Sequence, residues 1–496
     1  MSHSDASDAE RTQATSPVTI STTSVAIVGF GLALFGVYWD DAWHTDRGRD
    51  ALLSEPHLAL YVGVAIAVGV VGWWTWRSQG AKWRSWFSGP VGLALVGAIM
   101  TLGSAPVDEW WHSSFGRDAV LWSPPHLFAL VGTIALGSGV MIVAAASVDN
   151  GRSRFVAAAT GAGVLGSWQV LVLEYDTDVA QFAPLWYLPV LAIGLAAASS
   201  SIQVVSARHV EWSATRAGAL YTIAMVGVAG VLAAFGFSTP IIPAILPVLV
   251  VADVAHRSGW SVATRAVAVV GALFAVYVPY LSVVPGGVTP SAGETVAGLL
   301  IAIVAVVATM LIFDPSARWR ADFARVAMIG FALGAATLAL GASPRSASAH
   351  DPGQGPEVAG IELRAEVVDR VVFVTATIPE DGADAQPVRV VARRAGRTLD
   401  GPLTTSGATW SGQVEVDSDG RWFIYIELSG SSDVLESWLP VIVGEGDQFA
   451  SKSTVLYRST PRSRIALSQV LAGAVLILAA AAMTGLVART VRSVVS

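Results

Sequence analysis

The sequence predicts a multi-pass all-α membrane bundle of about twelve spans, with an extracytoplasmic β-sandwich set between the last two. Three observations predict it. Of 496 residues, 53% are hydrophobic and only 14% charged, with a mean hydropathy of +0.58, too apolar for an ordinary soluble domain. Apolar runs long enough to cross a hydrocarbon core as helices recur from about residue 20 to 343 and again at 464–487. Between them, 350–458 switches to the period-two alternation of strands, as in IELRAEVVDRVVFVTATIP and RWFIYIEL, broken by Gly, Asp and Pro turns.

Taken in order, residues 1–19 are polar and rich in Ser, Thr and acid, and read as a disordered cytoplasmic tail without the basic start of a secretory signal. A first membrane domain, 20–205, holds runs at about 20–42, 55–76, 88–110, 124–147, 155–175 and 180–205. Additional membrane helices fill 206–345, at about 216–236, 239–256, 263–284, 293–314 and 322–343. The strand-rich segment 350–458 reads as a cupredoxin- or immunoglobulin-like sandwich, and 464–496 as a C-terminal anchor. Alternate loops carry the cations, including Arg77, Lys82 and Arg84, then Arg152 and Arg154, then Arg318 and Arg320. By the positive-inside rule these loops face the cytoplasm, so both termini are inside and the β-domain outside a cell membrane.

A net charge of −7 and the absence of a basic stripe exclude nucleic acid as a partner. With no cysteine, disulfides, thiolate sites and Fe–S clusters are excluded too. Any metal must rest on histidine and carboxylate.

Four of the eight histidines fall in an internal repeat. The first copy runs Asp40-Asp41-Ala42-Trp43-His44, through Gly48-Arg49-Asp50-Ala51, to Pro56-His57; the second runs Asp108-Glu109-Trp110-Trp111-His112, through Gly116-Arg117-Asp118-Ala119, to Pro125-His126. Residues i and i+4 share a helix face, so Asp40 with His44, and Asp108 with His112, form clamps. The returning helix brings His57 or His126 to the same depth, behind a proline suited to its first turn. Each copy offers one carboxylate and two imidazoles, a set that suits Cu(II), Zn(II) or non-haem Fe(II) and leaves coordination positions open. A single Asp-x-x-x-His beside interfacial tryptophans fits an aromatic belt; two completed copies of costly intramembrane ionisable groups favour a metal.

This pair of motifs resembles the C subunit of the copper membrane monooxygenases, the particulate methane and ammonia monooxygenase family. Asp40, His44 and His57 match that family's Asp-x3-His-x12-His copper motif. Asp108, His112 and His126 match the spacing of its Asn-x3-His-x13-His motif, with Asp in place of Asn. The resemblance covers roughly 20–205 and implies copper, O2 and hydroxylation of a small apolar substrate, with Trp43, Trp110 and Trp111 lining an approach from the lipid. Residues 346–350, Ser-Ala-Ser-Ala-His, resemble the cleavage site ahead of the family's cupredoxin-like B subunit, though a plain linker is the favoured reading. The family's Trp-His-x-His strand is here Trp422-Phe423-Ile424-Tyr425, so the β-domain lacks those ligands.

Two alternatives stand beside the monooxygenase: a membrane copper-handling protein, disfavoured by the lack of Cys and of clustered Met, and a non-catalytic partner subunit of an oligomeric complex. Glu174, Asp176 and Asp178 read as solvated loop acids, with a supporting role at the metal as the second reading. Asp253 and His256 read as membrane-interface residues.

Overall fold

The computed structural model describes residues 18–47, 53–79, 85–115, 121–314, 354–377, 386–407, 409–429, 434–459 and 467–494. The expected span at 322–343, the small-residue run 346–349, His350 and the Gly-Arg-Asp-Ala segments of both repeat copies lie outside them. The helices are α1 Ile20–Asp46, α2 Glu55–Gln79, α3 Gly89–Phe115, α4 Pro124–Ala145, α5 Gly151–Gln169, the short α6 Leu173–Asp176, α7 Tyr187–Ser206, α8 Ser213–Ala234, α9 Leu246–Arg257, α10 Val262–Val283, α11 Ala292–Phe313 and α12 Leu467–Ser493. Among the described residues ten helical segments are long and apolar enough to cross a membrane. Polar residues start several of them. Thr19, Asn150 and Ser291 each form a capping box with the residue three positions on, satisfying N–H groups that have no partner within the helix.

The expected span at 239–256 is not one continuous helix: the chain passes from the barrel end at Ile241 to the opposite end at Asp253, but only part of the way as helix. Its helix begins only at Leu246 and has 12 residues, a rise of about 18 Å against the roughly 30 Å of a hydrocarbon core. Pro240, Pro243 and Pro247 cause this, since each removes a backbone donor and the ring clashes with a preceding helical turn. The chain ahead of α9 has no regular secondary structure, its Ile241 N–H donating to the Asp176 carbonyl at 2.8 Å and its Ile242 carbonyl accepting from the Tyr280 hydroxyl at 2.5 Å.

The repeat seen in the motifs is also a repeat of packing. Helices α1 and α2 form one close hairpin, α3 and α4 another. A Cβ placed on Gly29 would come within 2.7 Å of the Gly63 carbonyl oxygen and 3.0 Å of the Ala67 nitrogen. A Cβ on Gly97 would come within 2.6 Å of the Gly132 carbonyl oxygen and meet the Leu136 nitrogen. Gly29 and Gly97, like His44 and His112, are 68 positions apart; Gly63 and Gly132, like His57 and His126, are 69 apart. Glycine at these crossings lets the backbones touch, which is how helices associate where no water drives them together.

The β-domain is a closed antiparallel barrel and not the expected sandwich. Its strands are β1 Gln354–Val368, β2 Val371–Thr377, β3 Gln386–Arg394, β4 Arg397–Ser406, β5 Thr409–Glu415, β6 Gly420–Ser429, β7 Val434–Val443 and β8 Gln448–Ser459, in the order β1-β2-β5-β4-β3-β6-β7-β8. The 15-residue β1 pairs with β8 from Gln354 to Val367 and with β2 from Glu362 to Val368, joining what would have been two sheets. Alternation is common to sandwiches and barrels, so the sequence pattern does not choose between them. Leu363, Val374, Trp422, Ile424 and Ile426 fill the interior.

Strand β6 is buried on both faces over Trp422–Leu428. Its outer face, Phe423 and Tyr425, joins Val391 and Trp438 around Val179 of the bundle. Phe423 and Tyr425 are therefore packing aromatics. The β3–β4 turn, Ala395-Gly396, has φ of 46° and 76°, the pair of positive values that a two-residue hairpin requires. It inserts its tip into the bundle, where Ala395 joins the helical core and a Cβ on Gly396 would lie 3.2 Å from the Ala183 nitrogen.

Candidate metal centre

The site is assembled at the barrel end of the bundle, where α1 and α3 finish and α2 and α4 begin. The imidazole Nε2 of His57 lies 3.1 Å from Asp40 Oδ1, and that of His44 lies 3.7 Å from the same oxygen. One donor atom from each of Asp40, His44 and His57 falls within 4.8 Å of the other two. Two ligands held at about 2.0–2.1 Å from one metal sit about 3–3.5 Å apart, so the trio needs little adjustment to share an ion. Asp40 Oδ1 is buried and makes no hydrogen bond. A buried carboxylate oxygen facing two imidazoles without a hydrogen bond is costly, and an ion between them would relieve that cost. The donor set fits a cation such as Cu(II), Zn(II) or Fe(II) with positions left open.

The second copy is built alike. His126 Nε2 lies 3.4 Å from Asp108 Oδ1. His112 falls within α3, and its side chain lies outside the described residues. Asp40, His44, His57, Asp108 and His126 all line one cavity of about 610 Å³, so the two copies face a common space, the size of a small-ligand site.

The third loop at this end is built into the site and the barrel contact. Glu174, Asp176 and Asp178 are buried, not solvated. Glu174 lines the cavity, and its Oε1 accepts the Leu121 N–H at 2.6 Å. That bond fixes the segment leading into α4, and hence the start of the helix that carries His126. Asp176 accepts from the Tyr187 hydroxyl at 2.5 Å. Asp178 holds the barrel: Oδ1 pairs with Arg394 at 2.7 Å and Oδ2 accepts the Arg421 N–H at 2.7 Å. Burial pushes the Asp178 carboxyl above its ordinary range, and the two arginines partly oppose this. Its φ of 56° is one that Asp tolerates better than most residues. A run of three acids at alternate positions was the available signal, but acids in a short loop are usually wet.

Other expectations shift. Among the described tryptophans, Trp43, Trp110 and Trp111 do not line the cavity. Trp43 stacks on Phe237 with Arg47 over both rings, and Trp111 packs beside Gly473 of α12. Asp253 is buried between helices and accepts from Gln203, from the Thr215 N–H and from the Thr215 hydroxyl, tying α9 to α7 and α8. His256 sits beside Arg265, which pairs with Asp314.

Comparison with protein-family models, curated proteins and solved structures gave no match.

Proposed function

We propose that the chain is a copper-dependent membrane oxidoreductase, similar to the copper membrane monooxygenases, that hydroxylates an apolar substrate with O2. The observation that carries this reading is the convergence of Asp40, His44 and His57 on one cavity together with the matched Asp108 and His126. In this reading the barrel end faces outward and the first trio holds the reactive copper. Asp108 and His126, with His112, hold a second ion or tune the first. Bound copper would supply the O2 chemistry; zinc and non-haem iron suit the same donors.

The chain's own residues account for the rest. Asp40 contributes one negative charge and His44 and His57 two neutral donors, leaving positions for O2 or water. Hydroxylation takes up two protons and, from an external donor, two electrons, with one oxygen atom going to the substrate and one to water. Asp41, Glu109 and Glu174 line the cavity and are the groups placed to pass protons. The apolar wall below them limits water at the reacting centre.

The test is metal content. Purified full-length protein should retain copper in preference to zinc and iron, and His44→Ala and His112→Ala, made separately, should each lower the stoichiometry. If wild type retains no metal, or neither change lowers it, the reading fails. Copper retained without O2-dependent turnover on any alkane would move the assignment to a copper-handling or partner protein.

A further inference from the structure

The cavity extends well below the candidate ligands. On α1 its wall runs from His44 down to Ile27, a rise of about 25 Å, and on α5 it descends to Ala159. Around the carboxylates it is enclosed by all four helices of the repeat. Lower down, its wall comes from α1, α5 and α8, through Phe30, Gly31, Ala162, Gly163, Leu220 and Ala224. None of these six is ionisable. Gly31 and Ala224 are exposed, so the lower half opens sideways, onto the surface that lipid would cover.

We infer that this space binds one extended, uncharged alkyl chain, lying along α1 with one end beside Asp40 and the remainder reaching toward Ile27. Its depth exceeds what a one- or two-carbon substrate could use and matches the run of a long linear chain. The lateral opening admits such a chain from the bilayer, where it dissolves, without passage through water. The upper end selects among chains: the carboxylates of Asp40, Asp108 and Glu109 repel a carboxylate or phosphate head group, disfavouring fatty acids and anionic lipids. What remains is a neutral long-chain hydrocarbon or alcohol. Binding follows from the cavity alone; oxidation of the chain end beside Asp40 rests on the metal reading above.

The experiment uses the full chain in nanodiscs, labelled with a diazirine-bearing hexadecane, with metal content measured on the same samples. Crosslinks should concentrate on the cavity-facing residues of α1, α5 and α8. Excess hexadecane or hexadecanol should displace them, with palmitate at least tenfold weaker. Gly31→Leu should cut labelling at least fivefold with metal content unchanged, because a Cβ at Gly31 meets nothing within 4 Å and the new side chain projects into the groove. Ala224→Leu obstructs the same groove from α8 and guards against misfolding of the first variant. Labelling spread evenly over the helix exteriors would overturn the inference. So would labelling diluted equally by added phospholipid, or insensitive to both substitutions. A protein that binds the chain but no metal would leave this inference standing and sink the hydroxylase reading, so the two failures are distinguishable.

Discussion

Asp40 receives two imidazoles because one comes from its own helix, four residues on, and the other from the helix that returns beside it. The i,i+4 partner is positioned by helix geometry and the cross-helix partner by packing, and the closer contact is the second, 3.1 Å against 3.7 Å. Asp40→Ala and His57→Ala should therefore each weaken metal retention at least tenfold, measured by equilibrium dialysis with a competing chelator. Glu174 acts one step removed. Its carboxylate holds the Leu121 N–H, and loss of such a supporting bond costs about 10–100-fold in metal affinity. Glu174→Ala should show that loss in the same dialysis, while Glu174→Gln, which still accepts from Leu121, should recover much of it. A substitution pair with equal effects would mean that the charge of Glu174, and not its hydrogen bond, supports the site.

At the level of elements, the unit of construction is a duplicated helical hairpin whose glycine crossing sets the distance between paired ligands. Adding a side chain at a crossing should separate the helices that carry Asp40 and His57 in the first hairpin, or Asp108 and His126 in the second. Gly29→Val and Gly97→Val should each destabilise by about 1–3 kcal/mol through overpacking and lower metal content, whereas Gly69→Ala, where a Cβ meets nothing within 4 Å, should do neither. Thermal melts with metal analysis on the same preparations decide this. The barrel is fastened by a different element, the buried loop after α6. Removing Asp178 strands Arg394, whose side chain is only 10% exposed, and breaking a buried pair in this way costs about 3–5 kcal/mol. Asp178→Ala should accordingly loosen the barrel, seen as faster hydrogen exchange around Gln181–Ala183 and in the β3–β4 hairpin. Asp178→Leu combined with Arg394→Met should restore much of the protection.

For the whole molecule, barrel and bundle share a buried contact, and that contact should make stability depend on pH. Lys452 of β8 lies over the Trp438 ring at 4.1 Å, and burial pushes its amine down to about 8, opposed by Asp46. In the unfolded chain a lysine titrates at about 10.4. Below pH 8 both states are protonated and the burial penalty is constant. Between about 8 and 10.4 the unfolded state binds more protons than the folded one, so stability rises with pH across that window and then levels off. The barrel's melting temperature should climb from pH 8 to 10, and Lys452→Met should flatten that slope. An unchanged slope in the variant would assign the effect to another group.

Much of this protein was legible in one dimension because its signals are local and periodic. Helix and strand periods located the bundle and the strand-rich domain, and the matched offsets of Asp40, His44 and His57 with Asp108, His112 and His126 marked the candidate ligands. Three features escaped because they depend on contacts between distant segments. Closure of the barrel depends on whether β1 pairs with both β2 and β8. Whether Asp178 is wet or buried depends on a barrel more than two hundred residues away in the chain, and the burial of Glu174 on the segment at Leu121, 53 residues earlier. That the two ligand sets share one cavity depends on how one hairpin packs against the other. Sequence alone determined the residue types, their spacing and the periods, since these are properties of neighbouring residues; only the tertiary structure decided burial, closure and the common cavity, since these arise where remote surfaces exclude water together.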